Sequence, residues 1–194
     1  MYPETFKLLR EGNYSLVILG AHVKSVKVKW GSSEVFQIIK NTNCPVISYC
    51  GNTEVTGIKE ILLPLSESSN TCQKVPYCAT LAKAFGSTVH IYGVSNSESK
   101  DTQKAIDSYI RQTERYLSER GIKYSVDSNY GVKVPRTIIA YGKQVKADLT
   151  ITMTDTESDG IFTKSYSKQL SRQCNGPIMW VHLKDTRLAV ASGY

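Results

Sequence analysis

Three carboxylates, Asp155, Glu157 and Asp159, stand at alternate positions of one polar segment. Oxygen donors so grouped are what Ca²⁺ and Mg²⁺ take as ligands, and a solvated loop is the competing reading of the same residues. His22, His90 and His182 lie in different elements, so their spacing builds no zinc site. His90 and His182 read instead as strand residues, packed or half-exposed. The five cysteines (Cys44, Cys50, Cys72, Cys78 and Cys174) are odd in number and contain no CxxC pair. They read as buried free thiols, and Cys44, beside Pro45, as packing rather than a nucleophile. The chain has no GxSxG elbow, no Walker A loop, no GxGxxG and no HExxH. A net charge of +7 raises a nucleic-acid partner as an alternative. Its densest basic stretch, Lys24, Lys27 and Lys29, is equally a solvated loop, and no nucleic-acid motif accompanies it.

The elements that must position these residues alternate between short apolar runs and amphipathic stretches. The runs are Leu16–Leu19, Val46–Tyr49, Ile61–Leu65, Val89–Val94, Tyr124–Val126, Leu149–Met153 and Ile178–Val181. Such alternation is the mark of βαβ units around a parallel sheet. The longest helical pattern covers Gln103 to Arg120, with Ala105, Ile106, Tyr109, Ile110, Thr113, Tyr116 and Leu117 at three- and four-residue spacing and Gly121 as its stop. Ala79, Leu81, Ala82 and Phe85 mark a second helix closed by Gly86; Pro76 requires that it start late or bend in its first turns. A third contains Ile138, Ile139 and Tyr141, with Pro135 in its opening turn.

The chain also repeats itself. Tyr14-Ser-Leu-Val-Ile-Leu-Gly20, followed by Asn43-Cys-Pro-Val-Ile47, has a counterpart in Ala147-Asp-Leu-Thr-Ile-Thr-Met153 followed by Asn175-Gly-Pro-Ile-Met179. Each copy reads as strand, long loop, helix and a final strand opened by proline, at an offset of about 133 residues. Three further strand–helix units precede the second copy but not the first. The expected organisation is the C-terminal part of one domain over 1–52, a linker over 53–57, a complete domain over 58–184 and a tail over 185–194.

Lys59-Glu-Ile-Leu-Leu-Pro-Leu65, Leu81-Ala-Lys-Ala-Phe-Gly-Ser-Thr-Val-His-Ile-Tyr-Gly-Val94, Arg115-Tyr-Leu-Ser-Glu-Arg-Gly-Ile122 and both repeat copies resemble the universal stress protein family in its tandem two-domain form. The resemblance implies an α/β fold, Rossmann-like and adenine nucleotide alpha hydrolase-like. Its sheet is doubly wound, five-stranded and parallel in order 3-2-1-4-5, with a partial second copy at the N-terminus. Ligands of such a sheet sit beyond the carboxyl ends of the strands, where the order reverses.

Nucleotide-binding members of that family place an acidic residue after strand 1 and a Gly-x2-Gly-x9-Gly-Ser/Thr motif after strand 4. By that resemblance the acidic position falls on Ser66, which cannot act as a carboxylate. The motif's first glycine falls on Met153, its second near Thr156, and its end near Lys164-Ser165. Ser66, Val94, Thr154, Lys164 and Ser165 are thus the residues of a degenerate pocket in the complete domain. The partial copy keeps Gly20, Gly31, Ser32 and Ser33, and a strand end followed by a helix cap explains these as well. The carboxylates at 155, 157 and 159 oppose a triphosphate, so no cofactor is expected, with ATP or AMP as the alternative.

The expected function is a stress-response regulatory or scaffold protein acting through dimerisation or weak ligand sensing, not an enzyme. An ATP- or AMP-binding protein with slow or no hydrolysis is the first alternative, and a nucleic-acid-associated basic protein the second. The final strands Val46–Tyr49 and Ile178–Val181 are expected to pair, within the chain or across a homodimer. The sequence carries no signal pattern and no apolar run of membrane-spanning length, which gives a cytoplasmic expectation.

Overall fold

The computed structural model describes residues 8–9, 12, 14–21, 39, 42, 44–50, 56–154, 169–170 and 176–182, and the side chains of all of these except 21 and 50. The strands are β1 (Val17–Ala21), β2 (Val46–Cys50), β3 (Glu60–Leu65), β4 (Thr88–Val94), β5 (Tyr124–Asn129), β6 (Leu149–Met153) and β7 (Ile178–Val181). A 3-10 helix (Ser69–Lys74) runs into α1 (Val75–Phe85), and α2 (Lys100–Ser118) and α3 (Val134–Gln144) follow.

One seven-stranded sheet holds them in the order β1-β2-β7-β6-β3-β4-β5. Every described pairing is parallel except β2 with β7, which run antiparallel with Val46 opposite Trp180 and Ser48 opposite Ile178. Counted from β3 onward the order is third, second, first, fourth, fifth. The direction of winding therefore reverses between β3 and β6. Among the described residues the edges of the sheet are β1 and β5, and the final strands β2 and β7 lie inside it.

The central strands are buried on both faces, as parallel strands under two helical layers must be. Ile61, Leu63 and Leu65 of β3 join Ala79 and Ala82 of α1 and Ile106, Ile110 and Leu117 of α2 in one apolar cluster. Leu62 points the other way, into a second cluster with Tyr92, Ile138, Tyr141 and Trp180. Each fully buried aliphatic side chain of this kind contributes roughly 1.5–3 kcal/mol relative to exposure. Gly93 lets α2 approach: a Cβ there would lie 2.8 Å from Ile106 Cγ2 and 2.9 Å from Ile110 Cδ1.

Polar contacts fix the register where the winding reverses. Asp148 Oδ2 accepts from the backbone N–H groups of Lys59 (2.7 Å) and Glu60 (2.9 Å), tying the start of β3 to the start of β6. At the β2–β7 junction the buried Trp180 indole donates to Ser48 Oγ at 2.7 Å. Helix α2 begins three residues earlier than its apolar periodicity predicts, because Ser99 caps it by accepting from Thr102 N at 3.1 Å. Pro76 falls in the first turn of α1, where a missing N–H costs nothing. Strand β5 runs three residues beyond the apolar run Tyr124–Val126, and the extension is polar because it lies on an exposed edge.

Candidate functional site

The carboxyl ends of β3 and β6 are the point of reversal, and the chain beyond β3 builds directly over them. The segment leaves β3 at Ser66, turns through Glu67 and Ser68, and enters the 3-10 helix, which packs beside β6 and α2. Ser68 caps that helix by accepting from Asn70 N at 3.4 Å. Thr71 is buried, and its Oγ1 accepts from Ser66 N (3.1 Å) and from Lys74 Nζ (2.9 Å). The turn therefore closes on one hydroxyl.

Lys74 is 1% exposed, an unusual position for an ammonium. Burial lowers its pKa from 10.5 to about 7, against the opposing pull of the Cys72 and Cys78 thiols. The Cys78 thiol, buried beside it, is pushed up to about 12 by the same loss of water. The end of the sheet thus holds an amine that changes charge near neutral pH. Nothing in the sequence pattern singled out Thr71, Lys74 or Glu67. Lys74 reads as an ordinary surface lysine until the 3-10 helix turns it inward.

Two acceptors in the same turn, Ser66 Oγ and Glu67 Oε2, are buried without a hydrogen-bond partner among the described residues. An unpaired buried polar atom costs roughly 1–3 kcal/mol, so each is poised to take a donor. The carboxylate that the family pattern puts after strand 1 is absent at Ser66 and present one residue later.

Val94 closes β4 and is buried in the cluster under α3, so it supports the crevice wall from within. Ser95 follows, with its N–H on Asn129 O (3.3 Å) and its carbonyl accepting from Val132 N (3.2 Å). Thr154 leaves β6 toward β7 rather than β3. Its N–H donates to Val181 O at 2.8 Å, and its Oγ1 lies 3.5 Å from His182 Nδ1. His182 Nε2 in turn lies 3.0 Å from Thr42 Oγ1, whose hydroxyl donates to Ile39 O. Burial holds the His182 pKa below the usual imidazole range, which keeps it neutral in this bridge between the repeat copies.

The sheet thus brings Ser66, Val94 and Thr154 to one edge, with Glu67, Thr71 and Lys74 beside them. Gly20 is not part of that cluster: it is the fourth residue of β1, paired opposite Tyr49 on the outer edge. Four inter-strand spacings of about 4.8 Å separate β1 from β3. Lys164, Ser165, Gly31, Ser32 and Ser33 lie outside the described residues, as do Asp155, Glu157 and Asp159. Among the described residues no group of three or more His, Cys, Asp or Glu side chains is placed to hold a metal.

An adenine nucleotide fits this edge only in part. Ser66 Oγ and Glu67 Oε2 can accept from amino or hydroxyl donors, which adenosine carries. On the phosphate side, the Met153 side chain is packed into the core where a glycine would leave room. The Thr154 N–H, which would otherwise face an anion, is already committed to Val181 O.

Solved structures match this architecture. A universal stress protein from Archaeoglobus fulgidus DSM 4304 superposes with a TM-score of 0.64 at 18% identity, covering 90% of this chain and 63% of its own. The present chain therefore spans less than two thirds of that protein's length. A universal stress protein in complex with cAMP matches at TM-score 0.54 and 16% identity, over 66% of this chain and 100% of its own. The universal stress protein from Archaeoglobus fulgidus in complex with dAMP matches at 0.51 and 12% identity, over 66% and 98%. The fold is that of the universal stress proteins. No family model matches the sequence, and no curated protein matches it. At these identities the likeness shows the fold alone, and the side chains at the carboxyl ends of the strands are this chain's own. No helix among the described residues is long and apolar enough to cross a membrane.

Proposed function

We propose that this is a stress-response regulatory or scaffold protein of universal stress type. Its crevice is a degenerate nucleotide pocket that senses an adenosine-bearing ligand weakly and does not hydrolyse it. The carrying observation is the pair of unpartnered acceptors, Ser66 Oγ and Glu67 Oε2, beside a phosphate side whose Thr154 N–H is already bonded within the protein. Similar folds in complex with cAMP and dAMP support a monophosphate as the ligand class. One universal stress protein matches 90% of this chain and another, matched over its whole length, covers 66% of it, which supports the tandem organisation with the complete domain over 58–184.

Calorimetric titration with AMP tests the assignment. Glu67→Ala and Ser66→Ala are each expected to weaken AMP by about 1–3 kcal/mol, the value of a buried hydrogen bond left unmade. Unchanged affinity in both variants would place the ligand elsewhere and sink the proposal.

A further inference from the structure

On the α3 face of the sheet, at its amino end, three side chains from three adjacent strands form a continuous hydrogen-bonded row. Glu60 opens β3, His90 is the third residue of β4, and Ser125 is the second residue of β5. Glu60 Oε2 lies 2.7 Å from His90 Nε2, and Ser125 Oγ lies 2.7 Å from His90 Nδ1. The row is roughly 20 Å along the strands from the Ser66 crevice, at about 3.3 Å per residue of β3.

A carboxylate only accepts, so His90 Nε2 carries the hydrogen and donates it to Glu60. In the neutral ring Nδ1 is then a lone pair, and the Ser125 hydroxyl donates to it. This is the arrangement of a general base on a nucleophile with a carboxylate orienting the ring, with the two ring nitrogens exchanged relative to the serine-protease assignment. Tyr141 on α3 packs against the same face of the sheet. Its ring is held by stacking on Tyr92, with centroids 4.0 Å apart and planes 7° apart. The imidazole is the least exposed of the three, with the Glu60 side chain at 35%. The His90 side chain is 14% exposed, while Ser125 is open to solvent on the edge strand.

We propose that Ser125, His90 and Glu60 form a second site, distinct from the crevice, that accepts an acyl group from a small activated ester. Ser125 Oγ attacks the carbonyl carbon as its proton passes to His90 Nδ1. The carbonyl π pair moves onto oxygen, which solvent hydrates at this exposed position. Collapse of the tetrahedral centre breaks the bond to the leaving alcohol, which takes the proton from Nδ1 and leaves the acyl group on Ser125. Water then attacks by the same relay, its proton passing through His90 to Ser125 Oγ, and a carboxylic acid departs. Glu60 touches only the imidazole and is a positioning residue. Ser125 is exposed, so an activated ester reaches it without passing through a cavity.

A fluorophosphonate probe reacts with a serine only where a base activates it. The full chain, native and heat-denatured, is treated with the probe and the adduct is located by peptide mass spectrometry. The expected result is an adduct on Ser125 in the native protein alone. Removal of the base in His90→Gln should slow it by about 10²-fold or more. Glu60→Gln should slow it by about 10-fold or more with the site unchanged. Ser125→Ala, a change at an exposed position, should abolish the adduct while leaving the circular dichroism spectrum intact. An adduct equal in native and denatured chains, one on another serine, or none at all would overturn the proposal. That native-against-denatured comparison decides even where His90→Gln fails to fold.

Discussion

Lys74 makes the stability of this fold depend on pH in a window where few other groups contribute. Its native pKa is about 7 against an ordinary 10.5, so between these values the unfolded chain binds a proton that the native chain does not. Stability must therefore rise with pH across the window, and below about pH 7 this contribution is gone because both states are charged. Integration from about pH 7 to 8.5 gives about 2 kcal/mol. Cys78 acts in the opposite sense: its native thiol holds its proton to about 12. The unfolded thiol begins to ionise toward the top of the window, which removes less than about 1 kcal/mol there. Cys44 and Cys72, both raised by burial, share that sign. His182, lowered by burial, acts only below the usual imidazole value, and Tyr92, Tyr130 and Tyr141, all raised, act only at more alkaline pH. The net expectation is a gain of about 1 kcal/mol, an upward shift of about 0.5 M in the urea midpoint. Lys74→Met keeps the volume and removes the charge. It should abolish the rise and leave a slight fall from the thiols. A Lys74→Met protein whose midpoint climbs as much as the wild type's would refute the reasoning.

Three further outcomes follow from packing and capping. Ser48→Ala removes the acceptor of the buried Trp180 indole and should destabilise the β2–β7 junction by about 1–3 kcal/mol in urea unfolding. Gly93→Ala drives a methyl into Ile106 and Ile110 and should cost about 1–3 kcal/mol, read as a fall in melting temperature. Ser99→Ala uncaps α2 and should cost about 1 kcal/mol, with the largest rise in amide exchange at the first turn of that helix.

The strands were legible because burial on both faces leaves continuous apolar runs, as at Ile61–Leu65 and Ile178–Val181. The polar half of β5 was not. Asp127, Ser128 and Asn129 carry no hydrophobic signal, and only pairing with β4 makes them strand. Helix starts were blurred for a related reason, since Ser99 acts through one hydrogen bond that periodicity does not register. At the site, Ser66, Val94 and Thr154 were placed by motif alignment, which finds positions along a strand. It does not find Lys74 or Glu67, whose roles depend on how a short 3-10 helix folds back. The Glu60–His90–Ser125 row was equally hidden, because its members are some thirty residues apart and meet only through sheet register.

The central claim is that the crevice no longer holds a nucleoside triphosphate, and a thermal-unfolding titration with Mg-ATP at fixed ionic strength tests it most directly. A ligand at about 100 times its dissociation constant stabilises by about 2.7 kcal/mol, which for a chain of this size is a rise of roughly 5–10 °C. The expected result at about 5 mM Mg-ATP is a rise below about 2 °C, with phosphate release no faster than in buffer. A rise of the full magnitude specific to Mg-ATP, together with phosphate release above the buffer rate, would contradict the account.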